Sequence, residues 1–156
     1  MPRLTYVAVL SLALFAGCKD EPSAPKKPLG KLKLIPAPVE PAAVEKLVLE
    51  KMAAAKAENR TLLVYAGATW CEPCRRFHDA AEKGQLDAEF GDVDVLAFDV
   101  DVDNERLAYG NYDSELIPMV ALPGPDGKAG EKMSGGVKGD GALNDMVPRL
   151  KKLLKR

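Results

Sequence analysis

The segment TLLVYAGATWCEPCRRFHDAAEKG, residues 61–84, decides the fold of this chain. It begins with a short apolar run, Thr61–Ala66, whose β-branched and aromatic residues and short length predict a buried strand rather than a helix. A polar stretch with helical character follows over residues 71–83 and ends at Gly84, a residue type that commonly terminates helices. The segment therefore predicts a strand, a tight connection and a helix.

Two cysteines, Cys71 and Cys74, lie where the predicted strand gives way to the predicted helix. An attacking sulfur must be a thiolate, and a helix N-terminus stabilises negative charge through its free N–H groups and its dipole. The two intervening residues, Glu72 and Pro73, place the second sulfur about one helical turn away, within reach of a mixed disulfide on the first. In this context the C-x-x-C pattern predicts a redox-active pair, with Cys71 as nucleophile and Cys74 as resolving thiol.

Helices and strands alternate on both sides of this unit. Hydrophobic spacing predicts a helix over residues 44–55, a strand at 93–100, a short helix near 103–109, strands at 119–122 and 129–134 joined by a turn at 123–127, and a closing helix from about Leu143 to Leu154. Pro148 must kink that last helix or lie in its first turn. This alternation predicts one α/β domain.

Composition excludes several classes of protein. The 156 residues are 47% hydrophobic and 29% charged, as expected for a globular domain and not for a disordered chain. The 22 basic and 23 acidic side chains give a net charge of −1, and no basic stripe interleaved with aromatic residues is present, so nucleic acid is not an expected partner. The three cysteines are too few and too unevenly placed for a disulfide-dense secreted scaffold.

The first seventeen residues predict a secretory signal peptide. Arg3 precedes an apolar run, Val7–Ala16, that is much shorter than the roughly 20 residues needed to span a bilayer as a helix. The segment Leu14–Cys18 resembles the lipobox of bacterial lipoproteins, in which cleavage precedes the cysteine and its sulfur carries a diacylglyceryl group. The resemblance implies that residues 1–17 are removed and that Cys18 carries a lipid anchor. The alternatives are an ordinary secreted protein and a buried helix at the start of the chain with an incidental cysteine.

Residues 18–41 predict a tether between this anchor and a folded domain at residues 42–156. The stretch from 19 to 41 holds six of the chain's twelve prolines, five lysines and no aromatic residue, so it cannot build a packed core. Proline-rich chain favours an extended, polyproline-like conformation. A brief alternation over Lys31–Ile35 allows a short edge strand.

From Ala42 to Arg156 the chain resembles the thioredoxin-like family, and Cys71-Glu72-Pro73-Cys74 is similar to the motif of membrane-anchored, extracytoplasmic thiol-disulfide oxidoreductases. The resemblance implies a central mixed β-sheet flanked by helices. It also implies a role for Ile117-Pro118, because in the family this proline is cis, lies beside the active-site sulfurs and shapes the surface that binds substrate. Gly135 and Gly136 resemble the glycine that follows the final strand of the family.

One position departs from the family. Many thioredoxins place a buried Asp six residues before the first Cys, where it helps to deprotonate the resolving thiol, and this chain has Tyr65 there. Another group must then accept the proton, and Glu72 is a candidate. The alternative is that Glu72 is only an exposed acid that pairs with the dipole of the first helical turn. A carboxylate beside Cys71 also disfavours its thiolate, which favours an electron donor over an oxidant.

Other residues near the cysteines admit two interpretations. His78 shares a helical face with Cys71 and Cys74, yet these three ligands fall short of the four in a closed zinc site, so no metal is predicted and an ordinary packing or surface His is expected. Trp70 is expected to be active-site surface, with core packing as the alternative. The acidic run Asp99, Asp101 and Asp103 lacks the glycine and terminal Glu of a calcium loop and is expected to be a solvated strand end.

The leading hypothesis is a lipid-anchored thiol-disulfide oxidoreductase of the bacterial cell envelope, facing the periplasm or the exterior, with the outer membrane as one destination. Its expected partners are protein thiols and disulfides and a membrane electron donor, and it is expected to be a monomer without a cofactor. Two alternatives remain at this point: a copper or zinc carrier using Cys71, Cys74 and His78, and a structural lipoprotein with an inert disulfide.

Overall fold

The structure is a computed structural model, in which residues 30–39 and 43–156 are described. Its elements are β1 (Lys33–Pro36), α1 (Val44–Ala57), β2 (Thr61–Gly67), α2 (Glu72–Glu82), α3 (Asp87–Phe90), β3 (Val93–Asp99), α4 (Val100–Tyr109), β4 (Met119–Pro123), β5 (Ala129–Ser134), a 3-10 turn (Gly139–Gly141) and α5 (Ala142–Leu153). The strands form a sheet in the order β1-β3-β2-β4-β5, in which β1, β3 and β2 are parallel and β4 and β5 antiparallel. This mixed sheet, flanked by helices, confirms the predicted fold class.

Strand β2 lies at the centre of the sheet because its apolar residues can be buried on both faces. Every residue after Thr61 is buried. Leu63 and Tyr65 point to the face covered by α2 and α5, whereas Leu62 and Val64 point to the face covered by α1 and α4. The alternation also places Tyr65 and Gly67 on the same face of the strand.

The folded part of the chain begins upstream of the predicted boundary at Ala42. Strand β1 pairs with β3 from Lys33 to Pro36, and Leu32 is buried against the core. The edge strand that Lys31–Ile35 allowed is therefore present, and its residues Leu34 and Ile35 pack against the core on the two faces of the sheet. The predicted signal peptide, Cys18 and the remainder of the tether lie outside the described residues.

The acidic run caps a helix, and this corrects the predicted extent of the strand before it. The Asp99 carboxylate accepts a hydrogen bond from the Asp101 N–H at 3.0 Å, so β3 ends at Asp99 and α4 begins at Val100. Asp103 is buried, accepts a hydrogen bond from the Asp99 N–H at 3.1 Å and pairs with Arg106 at 2.7 Å. The expectation of solvated carboxylates therefore does not hold for Asp103.

The other predicted elements are present with shifts of a few residues at their ends, and the short helix α3 was not predicted. Pro148 lies inside α5 rather than in its first turn. Within the described ranges, none of the helices has both the length and the apolar character needed to cross a membrane.

Arg60 joins the amino ends of the parallel strands. Its guanidinium donates to the Asp94 carboxylate at 2.6 Å and to the backbone carbonyls of Gly91, Val93 and Lys31 at 2.7, 2.7 and 2.8 Å. Only 10% of the Arg60 side chain and 7% of the Asp94 side chain are exposed. These bonds connect the start of β2 to the start of β3 and to the segment that enters β1.

Candidate active site

Cys71 and Cys74 form a disulfide at the start of α2. The S–S distance is 2.06 Å and the Cα–Cα distance is 5.2 Å. Cys71 is the N-cap residue of α2, and its Sγ accepts a hydrogen bond from the Cys74 N–H at 3.3 Å. Both cysteines are buried. The N–H group and the helix N-terminus that now face this sulfur would also stabilise the Cys71 thiolate once the disulfide is reduced.

Pro118 and Gly136 lie beside the start of α2. The Ile117–Pro118 peptide bond is cis, and the Gly135 N–H donates to the Pro118 carbonyl at 2.9 Å. A Cβ at position 136 would lie 3.2 Å from Pro73 Cβ and 3.6 Å from Pro118 Cδ. A glycine at 136 thus lets this loop pack closely against both prolines.

Exposed apolar side chains surround this end of the molecule. Trp70, directly before Cys71, is 64% exposed, and its indole N–H donates to the Asp101 carboxylate at 2.9 Å. Leu116 and Val137 are 62% and 48% exposed. The structure therefore places Trp70 on the surface, as expected, in reach of a macromolecule that approaches the disulfide.

Glu72 connects α2 to the loop before α5. Its carboxylate accepts from Arg76 Nε at 2.8 Å and from the Gly139 N–H at 3.1 Å, and Arg76 also pairs with Asp140 at 3.1 Å. These contacts, chiefly the bond from Arg76, lower the pKa of Glu72. The group is therefore a weaker proton acceptor than an ordinary Glu, and Arg76 offsets much of its charge beside Cys71.

Tyr65 occupies the interior behind the disulfide. Its ring stacks on Phe77 with centroids 5.4 Å apart and meets the edge of His78 at 5.0 Å. Among the described residues, the Tyr65 hydroxyl is the one buried side-chain polar atom that has no hydrogen-bond partner. Burial, and to a lesser extent the charge of Asp99, raises the pKa of Tyr65 far above its usual range, so the phenol stays protonated near neutral pH.

Gly67 makes room for Tyr65. A Cβ at position 67 would overlap the Tyr65 hydroxyl oxygen and would lie 2.7 Å from two carbons of its ring. The tyrosine therefore fills the space that a side chain two residues further along the same face would need. Sequence reasoning noted the tyrosine but missed the glycine, and the available signal was a glycine at the end of a strand otherwise made of larger residues.

A cavity of about 320 Å³ opens behind the disulfide, and we call it the rear cavity. Its lining includes Tyr65, Gly67, Cys74, His78, Phe98 and Asp99. Burial lowers the pKa of His78 below its ordinary value of 6.5, although the charges of Glu82 and Asp79 act in the opposite direction. The structure thus brings His78 and Cys74, which are four residues apart in α2, to one cavity.

The metal hypothesis has no geometric support within the described part of the chain. The sulfur atoms of Cys71 and Cys74 are bonded to each other. No group of three His, Cys, Asp or Glu side chains among the described residues is arranged to hold a metal ion.

Comparison with known proteins agrees with the fold. A family model described as thioredoxin-like matches residues 44–125, just over half of the chain. The crystal structure of thioredoxin NaTrxh from Nicotiana alata is 22% identical over 80% of this chain and 93% of that one, with a TM-score of 0.52. Thioredoxin f from spinach chloroplast is 16% identical over 80% of this chain and 88% of that one, with a TM-score of 0.51. No curated protein sequence matches the chain.

Proposed function

Because this chain belongs to the thioredoxin-like family, we propose that it is a lipid-anchored, extracytoplasmic thiol-disulfide oxidoreductase that reduces or exchanges disulfides in proteins. The observation that carries the proposal is the Cys71–Cys74 disulfide at the N-terminus of α2. The fold and this disulfide together indicate thiol-disulfide oxidoreductase activity.

The reaction follows from the positions of the two sulfurs. In the reduced protein, the Cys71 thiolate attacks one sulfur of a substrate disulfide, forms a mixed disulfide and releases the other substrate sulfur as a thiolate. Cys74 then loses its proton and its sulfur attacks Cys71, which breaks the mixed disulfide and forms the Cys71–Cys74 bond. The substrate disulfide has gained two electrons, and the protein dithiol has lost them.

The surface around the disulfide suits a protein substrate. Trp70, Leu116 and Val137 are exposed apolar side chains, and such groups are favourable contacts in an interface. Ile117 and Pro118 precede β4 at the same end of the molecule, where the family resemblance places the substrate.

The cellular setting is supported by the sequence. The apolar run Val7–Ala16 and the lipobox-like segment ending at Cys18 support export and lipid attachment, and the tether separates the domain from the membrane. In this setting a membrane electron donor would restore the dithiol. Glu72 beside Cys71 favours a reducing role, and its pairing with Arg76 makes this bias small.

Trapping the intermediate tests the proposed reaction. A Cys74→Ala variant should accumulate a mixed disulfide on Cys71 when the reduced protein meets a protein disulfide, and non-reducing electrophoresis with mass spectrometry should identify it. The matched Cys71→Ala variant retains the other thiol and should trap little, because Cys74 lies one turn inside the helix, whereas Cys71 is at its N-cap. Absence of any mixed disulfide, together with no turnover of a model disulfide by the unaltered protein, would contradict the proposal.

A separate experiment tests the anchor. The full-length chain expressed in a bacterium should be found in the membrane fraction, with a diacylglyceryl group on its N-terminal peptide, whereas a Cys18→Ser variant should be released. Recovery of both proteins in the soluble fraction would refute lipid attachment and leave the redox proposal intact.

A further inference from the structure

The resolving step needs a group that takes the proton of the Cys74 thiol, and the two groups considered first do not suit this task. Tyr65 stands where a buried acid would act, but a phenol with a strongly raised pKa cannot take a proton near neutral pH. Glu72 is engaged with Arg76 and the Gly139 N–H outside the rear cavity.

His78 has the geometry for this role. It follows Cys74 by four residues in α2, so both side chains lie on one helical face, and both line the rear cavity. Its ring packs edge-to-face with the rings of Tyr65 and Phe77, with centroid distances of 5.0 and 6.2 Å. No hydrogen bond or ion pair within the described ranges joins the imidazole to another residue, so its nitrogens are available.

The rear cavity offers a path between the two groups. Its volume of about 320 Å³ has room for several water molecules, each of which occupies about 30 Å³ in the liquid. Ordered water requires polar partners, and the lining supplies His78, Asp99 and Cys74.

Burial and the surrounding charges together set the protonation of His78. Asp79 and Glu82 on α2 favour the imidazolium, and burial outweighs them, so the pKa of His78 falls below its ordinary value. Arg75 on α2, Asp99 on β3 and Tyr65 on β2 are the other titratable groups that line the same cavity. The imidazole is therefore neutral, and able to accept a proton, at pH 7.

We propose that His78 accepts the proton of the Cys74 thiol through water in the rear cavity while Cys74 resolves the mixed disulfide. The S–H bond of Cys74 breaks, its proton passes through water to the imidazole, and its sulfur bonds to Cys71 as the bond from Cys71 to the substrate breaks. The substrate leaves as a thiolate, and the imidazolium returns its proton to solvent. This inference rests on the proposed oxidoreductase activity.

A two-phase reaction separates the resolving step from the first attack. The reduced, folded protein is mixed with the aromatic disulfide dithiobis(nitrobenzoate), and each attack releases one coloured thiolate, first by Cys71 and then by Cys74. In the unaltered protein the second phase should rise with pH through an inflection below 6.5, where His78 loses its proton, before the further rise as Cys74 ionises by itself. In His78→Gln the second phase should slow by about a hundredfold at pH 7 and lose that inflection.

Two further variants separate proton transfer from packing. His78→Phe keeps an aromatic ring beside Tyr65 and should be as slow as His78→Gln, and both should approach the unaltered rate above about pH 10, where the thiol ionises without help. Glu82→Gln removes a charge that raises the pKa of His78, so the inflection should move to lower pH while the rate at pH 7 is kept.

The outcomes distinguish this inference from the proposed function. If the unaltered protein shows both phases and His78→Gln and His78→Phe match it at every pH, then His78 is not the proton acceptor and the redox activity stands. An inflection that stays in place in Glu82→Gln would also overturn the inference. If the unaltered protein releases no thiolate after full reduction, the proposed function itself is wrong.

Discussion

Buried polar groups at the two ends of the parallel strands differ in whether they have hydrogen-bond partners. At the amino ends, the side chains of Arg60 and Asp94 are almost fully buried, and each nitrogen of the guanidinium donates a hydrogen bond. At the carboxyl ends, the Tyr65 hydroxyl has no partner and His78 borders a cavity. Arg60 directly precedes β2, and Tyr65 follows it by five residues on that strand.

This difference separates a structural cluster from a chemical one. A buried polar group normally finds a partner because an unpaired one is costly, and the amino ends follow this rule. Departures from this rule, such as the unpaired hydroxyl and the half-buried imidazole at the carboxyl ends, are expected at functional sites. We therefore expect changes at the amino ends to affect stability alone and changes at the carboxyl ends to affect the reaction.

The largest effect on stability is expected from Arg60→Ala. This change leaves the Asp94 carboxylate buried without its partner and also removes three bonds to backbone carbonyls, so the free energy of unfolding should fall by about 3–5 kcal/mol. Denaturant titration measures the loss. The second phase of thiolate release, measured on the folded fraction, should be unchanged, and a change in that rate would break the proposed separation of the two ends.

Gly67→Ala should have the next largest effect and should disturb both properties. The new methyl group would overlap the Tyr65 hydroxyl, so the ring must shift, at a cost of about 1–3 kcal/mol of unfolding free energy. The shift should also alter the rate of the resolving step. In the double variant with Tyr65→Val the clash is absent, so the two changes should be clearly non-additive in denaturant titration, and additivity would contradict the contact.

Tyr65→Phe should change stability little, because the hydroxyl that it removes has no protein partner. We expect the unfolding free energy to stay within about 1 kcal/mol of the original value, whereas loss of a real buried hydrogen bond would be more costly. Thermal unfolding provides the measurement. A loss above about 2 kcal/mol would show that the hydroxyl is firmly bonded and that the contrast between the two ends is weaker than described.

The smallest effect is expected from Glu72→Gln. The pKa of Glu72 is lowered in the folded protein, so its carboxylate contributes stability above the ordinary carboxyl pKa of 4.5, and this contribution is lost as the pH falls through the lowered value. In the variant this part of the pH dependence should disappear, as denaturant titrations between pH 2 and 6 would show. The Glu72 side chain is 27% exposed, so an unchanged profile would mean that solvent screens its ion pair with Arg76 completely.

The cysteine chemistry of the chain was predictable because it depends on local spacing. The C-x-x-C pattern, the preceding apolar run and the helix that follows are contiguous, so the sequence alone places Cys71 at a helix N-terminus. The position of Pro118 came from resemblance to a family. The caps at Asp99 and Asp103 were not predicted, because a run of carboxylates has the same appearance whether it binds water, calcium or backbone N–H groups.

The rear cavity was not predictable for a different reason. Its lining comes from β2, α2 and β3, and its size depends on which way the Tyr65 ring turns over Gly67. The four bonds of Arg60 depend likewise on segments about 30 residues away. Such arrangements follow from strand register and side-chain packing, which one sequence does not reveal.

The position of Trp70 has a practical consequence. It is the chain's single tryptophan, it is mostly exposed, and it directly precedes Cys71. Disulfides quench indole fluorescence at short range, so emission from this one side chain should report the redox state of the protein without any label. The molecule thus carries its own optical probe, and each redox cycle can be followed in real time in a cuvette or on the surface of a vesicle.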